Sequence, residues 1–112
     1  MSISTTKPAM ISLLFASLCL TMSIEAFAQD VQGRNWAGAC TGCHGTEGRS
    51  IGEIPSIAGI DKADFVRLMN EFRDGTRPAT VMHQHARGLN DEQIDKLGDY
   101  FASRDPNAGG AK

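Results

Sequence analysis

The stretch from Cys40 to Gly45 reads CTGCHG, so two cysteines and a histidine lie within five consecutive positions. The only other cysteine, Cys19, lies in an apolar segment near the amino terminus. If that segment is removed, no cysteine remains outside the motif to form a disulfide across the fold. We therefore expect the motif itself, rather than a disulfide between distant segments, to supply the cross-link that stabilises the domain.

The first 28 residues have the pattern of a secretory signal peptide. Lys7 precedes the apolar run ISLLFASLCLTMSI, and small residues end the segment at Ala28. We predict cleavage between Ala28 and Gln29 and a periplasmic location. The run is shorter than the roughly 20 residues of a membrane span, so no membrane insertion is expected after cleavage. An uncleaved N-terminal anchor is the alternative.

Residues 29–112 are predicted to form one small domain. Lys7 and Glu25 leave with the leader, which changes 11 basic and 13 acidic residues to 10 and 12 and keeps the net charge at −2. No basic patch or basic amphipathic face indicates nucleic-acid binding or a membrane surface. A chain this short buries a modest core and usually needs a disulfide, a metal or a cofactor.

Three kinds of site compete for CTGCHG. A zinc finger needs two more ligands at set spacing, and His83 and His85 are too close together. A thioredoxin-like redox pair needs a βαβ context that the preceding residues do not indicate. In an exported chain CxxCH is typical of haem attachment. We predict that Cys40 and Cys43 bind one haem c covalently and that His44 coordinates its iron.

The second axial ligand is predicted to be Met82. Met69 falls on a helical apolar stripe with Phe65 and Phe72, which favours core packing. Met82 lies in RPATVMHQHARGLN, which we interpret as a loop between two helices. His83 or His85 could replace it, or be solvated loop residues. A His/Met iron has both axial positions filled and a raised potential, which indicates electron transfer.

The remaining pattern predicts an all-α domain of three to four helices wrapped round the haem. A first helix should run from about Asn35 into the motif, with Trp36 and Ala37 facing inward. A second should lie between an Asp61 cap and Gly75, and the last should cover 90–104 with a capping box. The segment 46–59 is predicted to be a loop.

Residues 29–112 resemble the class I cytochromes c. CTGCHG, IPSIAG, Met82 and the terminal LGDYFAS carry this resemblance. It implies that Cys40 and Cys43 form thioethers and that His44 and Met82 are the axial ligands. It also implies that the carbonyl of Pro55 orients the imidazole of His44.

A narrower resemblance lies in RPATVM and ARGLNDEQI, which are similar to the cytochrome subunit of flavocytochrome c sulfide dehydrogenase. That family implies redox-protein partners, including a periplasmic flavoprotein that oxidises sulfide. It includes subunits with two haems, whereas one CxxCH motif fits the single-haem kind. A free-standing soluble carrier is the alternative. A haem sensor or peroxidase-like protein, in which His83 or His85 replaces Met82, is a third. In each case this chain alone is expected to perform no bond-making chemistry, and we predict an electron-transfer protein rather than an enzyme.

Overall fold

The computed structural model describes residues 31–108, which form four helices and no strand. Helix α1 covers residues 31–44 of that part. It is followed by a 3-10 turn at Thr46–Gly48 and by α2 (Lys62–Asp74), α3 (Met82–Arg87) and α4 (Asp91–Ala102). The predicted all-α class is confirmed. The proposed leader, its cleavage point and residues 109–112 lie outside the described residues.

Helix α1 contains the whole CTGCH segment and is already helical at residue 31, before the predicted start near Asn35. Its inner face is closely packed, because Ala37 is 1% exposed. A Cβ built on Gly33 would lie 3.1 Å from the Cβ of Tyr100, so α1 and α4 approach closely here. The CTGCH segment therefore lies on a helix that is fixed against the last helix. No helix of the described range combines the length and apolar content needed to cross a bilayer.

Helix α2 begins and ends at the predicted residues. The carboxylate of Asp61 accepts hydrogen bonds from the first-turn amides, and Gly75 ends the helix in the left-handed region at φ 78°. The amides of Gly75 and Thr76 donate to the carbonyls of Phe72 and Glu71, the pattern of a Schellman motif. This fixes the direction in which the chain leaves α2 towards α3.

Helix α3 corrects the prediction that Met82 lies in a loop. Met82–Arg87 form a short helix, and the amides of Gln84 and His85 donate to the carbonyl of Val81. Pro78 lies before this helix and Gly88 follows it, so both act as boundaries of one helix. Six residues are too few to establish a periodic apolar pattern, which is why the sequence did not indicate a helix.

Helix α4 has the predicted capping box and supplies most of the core. Asn90 and Gln93 exchange side-chain and backbone hydrogen bonds at its start. It ends at Ala102 rather than at the predicted Arg104. The predicted stripe is buried, with Ile94, Leu97 and Phe101 no more than 1% exposed. This core joins α4 to α1 and α2.

The loop between the 3-10 turn and α2 is closed at its base by Gly48. The carbonyl of Gly48 accepts hydrogen bonds from the amides of Ile57 and Ala58 and from the hydroxyl of Ser56. Gly48 has φ 83°, and a Cβ there would lie 2.9 Å from Phe101. This arrangement returns the loop to α1 and places Pro55 beside the end of the motif.

Candidate functional site

A cavity of about 490 Å³ lies between the motif end of α1, the loop after it, α2 and α3. Five of its lining residues come from α1: Trp36, Ala39, Cys40, Cys43 and His44. Met82 lines it from α3. The structure therefore brings together the four residues predicted from sequence to bind the haem, and the volume lies in the range of small-molecule and cofactor sites.

The imidazole of His44 is held by the loop opposite. Its Nδ1 lies 2.7 Å from the carbonyl oxygen of Pro55. A carbonyl oxygen only accepts, so Nδ1 carries a proton, and in the neutral ring Nε2 then keeps its lone pair. This is the contact that the resemblance implies for Pro55. The other ring nitrogen, Nε2, remains available as a metal ligand.

The two thiols lie on one face of α1, because positions three apart are neighbours on a helix. Both are free, with Cys40 half-buried and Cys43 exposed, and both line the cavity. Burial raises the pKa of the Cys40 thiol above its ordinary value. The pair is thus available for two bonds to one ligand edge within the cavity.

Both methionines of the described chain line the cavity. Met69 enters from α2 and is 5% exposed, as predicted for a core residue. Met82 is the first residue of α3 and is half-buried. The sequence did not indicate that Met69 reaches the cavity wall. The apolar stripe that contains Met69 contributes both to the core and to the cavity wall. Which of the two a residue of the stripe reaches depends on how the other helices pack.

The two histidines of α3 differ in their surroundings. His85 is exposed and lines the cavity. His83 is half-buried, its Nε2 lies 3.1 Å from the carbonyl oxygen of Arg77, and its ring meets that of Phe72 edge-on at 6.5 Å. Both histidines lie in α3, so the interpretation as loop residues is wrong for both, and His83 is in addition only partly exposed to solvent.

Apolar side chains are exposed at the surface beside the cavity. Ile54 and Val81 line the cavity and are 43% and 54% exposed. Ile51 is fully exposed and lines a shallow depression next to Cys43. Whatever fills the cavity can cover the first two, whereas Ile51 belongs to the outer surface.

The lining fits a large, mostly apolar cofactor rather than a bare metal ion. Aliphatic and aromatic side chains dominate it, and Arg77 is its one Lys or Arg within the described part of the chain. In that same part, no group of three or more His, Cys, Asp or Glu side chains is arranged to hold a metal ion. Two thiols, an imidazole and a thioether in an apolar cavity suit a haem, whose edge and iron need those donors.

Known proteins similar to this chain include several that are named as cytochromes. It is 40% identical over 65 residues to the cytochrome subunit of sulfide dehydrogenase from Chlorobaculum tepidum, which covers 58% of this chain and 59% of that protein. It is 32% identical over 77 residues to cytochrome c-554(548) of Halomonas halodenitrificans, covering 65% of this chain and 93% of that protein. It is 35% identical over 87 residues to the thiosulfate dehydrogenase electron acceptor of Stutzerimonas stutzeri, a match that covers 70% of this chain and 40% of that protein.

These relatives differ in how much of their length is matched. The match spans less than two thirds of the Chlorobaculum and Stutzerimonas proteins and nearly the whole of the Halomonas cytochrome. No protein-family model matches the chain. The nearly full-length match, the helical fold and the cavity at the CxxCH motif agree, and the chain belongs to the class I cytochromes c, small proteins that carry haem c and transfer electrons.

Proposed function

We propose that residues 29–112 form a periplasmic domain with a single haem c, bound through Cys40 and Cys43 and coordinated by His44 and Met82. The domain would receive electrons from a flavoprotein that oxidises sulfide. The observation that carries the ligand assignment is the convergence of these four side chains on one apolar cavity.

The residues have separate tasks in this proposal. The hydrogen bond to Pro55 orients the His44 imidazole and fixes its proton on Nδ1. Cys40 and Cys43 hold the group on α1, and the apolar walls from Trp36 and α2 exclude water. When bound, the haem supplies a one-electron redox centre, and a thioether ligand raises its potential relative to a second imidazole. With His44 and Met82 both bound to the iron, no coordination position would be left for oxygen or peroxide.

One comparison supports a sulfide-oxidising donor, and one surface feature supports a lasting partner. The Chlorobaculum relative is named as a subunit of sulfide dehydrogenase and is 40% identical over the matched residues. Ile51 exposes an aliphatic side chain beside Cys43, which suits a lasting interface more than a brief, charge-guided encounter.

A free-standing carrier is the second candidate. Cytochrome c-554(548) is matched over 93% of its length, so a small separate cytochrome has nearly the same extent as the matched domain. The Stutzerimonas relative is named as an electron acceptor of a different dehydrogenase. A carrier would dock weakly and with a strong dependence on salt.

Purification from the native host at low salt distinguishes the two candidates. Co-purification of haem and a stoichiometric flavin, with haem reduction on adding sulfide, is expected for the subunit. Haem without flavin at both low and high salt would favour the carrier.

Mass spectrometry of the same sample tests the cleavage site and the covalent haem: a chain beginning at Gln29 with the added mass of one haem is expected. An intact leader or a chain without covalent haem would contradict the proposal.

The interface can be tested with a matched pair of substitutions. Ile51→Asp is expected to weaken the complex with the flavoprotein at least tenfold, about 1.4 kcal/mol, by placing a charge in an apolar contact. Val31→Asp introduces the same charge on an exposed residue of α1, about 18 Å along the helix from Cys43, and serves as the control. Equal effects of the two changes would argue against docking through Ile51.

A further inference from the structure

The chain between α2 and α3 has to place Met82 at the cavity. The Schellman motif fixes the backbone as far as Arg77, whose amide donates to the carbonyl of Glu71 at 3.2 Å. Hydrogen bonding of the backbone resumes at Val81, whose carbonyl begins α3. The residues between them, 78–80, include Pro78, which has no amide proton to donate.

His83 links the two ends of this segment. Its Nε2–H donates to the carbonyl of Arg77 at 3.1 Å, because that oxygen can only accept. In the described part of the chain this is the one side-chain hydrogen bond to the backbone of residues 77–81. It closes the loop at the residue directly after Met82.

The ring of His83 is also held in place. It meets Phe72 of α2 edge-on at 6.5 Å, and the guanidinium of Arg77 lies over the same Phe72 ring at 5.6 Å. Phe72 in turn lines the cavity. This Phe72 cluster (Phe72, Arg77 and His83) joins the cavity wall to both ends of the loop that carries Met82.

We propose that His83 is a positioning residue for the distal ligand, holding the thioether of Met82 towards the iron through its bond to the Arg77 carbonyl. This inference rests on the proposed role of Met82. His83 does not line the cavity, whereas Met82 and His85 do. His83 therefore stabilises the loop and does not act as an alternative iron ligand to Met82.

A role in stability alone would have a different signature. If His83 merely stabilised the fold, its replacement would lower the free energy of unfolding and leave the iron environment of the folded protein unchanged. If it positions Met82, replacement frees the loop, and the thioether leaves the iron more often at temperatures where the protein is folded. Added imidazole then competes more effectively for the vacated position.

The test uses the haem-loaded protein and two readouts, the thioether-to-iron charge-transfer band and the affinity for added imidazole. His83→Phe keeps a ring against Phe72 and removes the N–H donor. It is expected to weaken the band and to raise imidazole affinity about tenfold, which converts to about 1.4 kcal/mol. His83→Gln can place an amide N–H near the same carbonyl and should restore both readouts. Gln84→Leu, an exposed neighbour on α3, is the control.

The outcomes separate this inference from the proposed function. If the unmodified protein lacks the band, or Met82→Leu retains it, the ligand assignment fails and the role of His83 fails with it. If the band depends on Met82 but His83→Phe leaves band and affinity unchanged, only the positioning role is overturned. Should His83→Phe not fold, His83→Asn and His83→Gln replace it. The shorter Asn amide should loosen Met82 and the longer Gln amide should not, and equal readouts would overturn the inference.

Discussion

The Nδ1 of His44 lies 2.7 Å from the carbonyl oxygen of Pro55, so the end of α1 is tied to a residue eleven positions later. The tie fixes both the tilt of the imidazole and the nitrogen that carries its proton. The loop that supplies the carbonyl is itself held at Gly48. The orientation of one side chain therefore depends on the backbone path of a whole loop.

Replacing Pro55 tests how far its ring, rather than its carbonyl, maintains this contact. Pro55→Ala keeps the acceptor and enlarges the freedom of the unfolded chain, so unfolding should become easier by about 0.4–1 kcal/mol. The His44 Nδ1 proton should exchange faster with solvent, as measured by NMR. Pro78→Ala, at another loop residue lining the cavity, is the control and should leave that exchange rate unchanged.

The two cavity methionines should differ in their effect on the iron. Met82→Leu is expected to abolish the thioether-to-iron band in the oxidised protein. Met69→Leu should keep the band and cost less than about 1.5 kcal/mol of stability, because it nearly conserves volume in a buried position. Absorption spectra and denaturant unfolding of both variants check this. Loss of the band in Met69→Leu alone would reverse the assignment.

The close approach of α1 and α4 can be tested at Gly33. A methyl group there would lie 3.1 Å from the Cβ of Tyr100 and 3.4 Å from the carbonyl oxygen of Lys96. Gly33→Ala should therefore lower the free energy of unfolding by about 1–3 kcal/mol. Gly38→Ala, on the same helix with nothing within 4 Å, should raise it by up to about 1 kcal/mol. Denaturant unfolding followed by circular dichroism measures both, and a neutral Gly33→Ala would contradict the tight crossing.

Glu71 should give stability a dependence on acid pH. The hydrogen bond from Arg67, with a further contribution from Arg77, lowers the pKa of Glu71 below its ordinary value of 4.5. Its stabilising effect is therefore present above pH 4.5 and is lost as the pH falls through the lowered pKa. Glu71→Gln should be slightly less stable than the unmodified protein at pH 7.

The difference should disappear at pH values below the lowered pKa, as measured by denaturant unfolding across the acid range. Glu53→Gln is the matched control, since Glu53 is exposed, lies outside the helices and forms no ion pair within residues 31–108. A constant difference at all pH values would mean that Glu71 acts through packing rather than charge.

The sequence predicted those features that depend on residues close together in the chain. The Asp61 cap, the Gly75 end of α2 and the capping box of Asn90 and Gln93 each involve neighbours within a turn or two, and each is present. The buried stripe of α4 was predicted for the same reason, since helical periodicity alone identifies its inner face.

The features that were missed depend on contacts between segments. Helix α3 has too few residues for a periodic signal. The second role of Met69, as part of the cavity wall, becomes visible only when α1 and α3 are in place. The hydrogen bond from the His83 side chain goes to the backbone carbonyl of Arg77, six residues earlier and outside the helices. No rule based on sequence composition predicts such a contact. The contact of Pro55 with His44 was expected only from resemblance to a family.

The three hydrogen bonds to the carbonyl of Gly48 divide the loop after the motif into a closed base and a free tip. Residues 51–53 lie in the tip and are exposed. Because doubling the length of a flexible loop adds only about 0.6 kcal/mol of closure entropy, the tip can grow or change composition at little cost. Evolution can therefore alter the surface beside Cys43 while the carbonyl of Pro55 keeps its contact with the His44 ring.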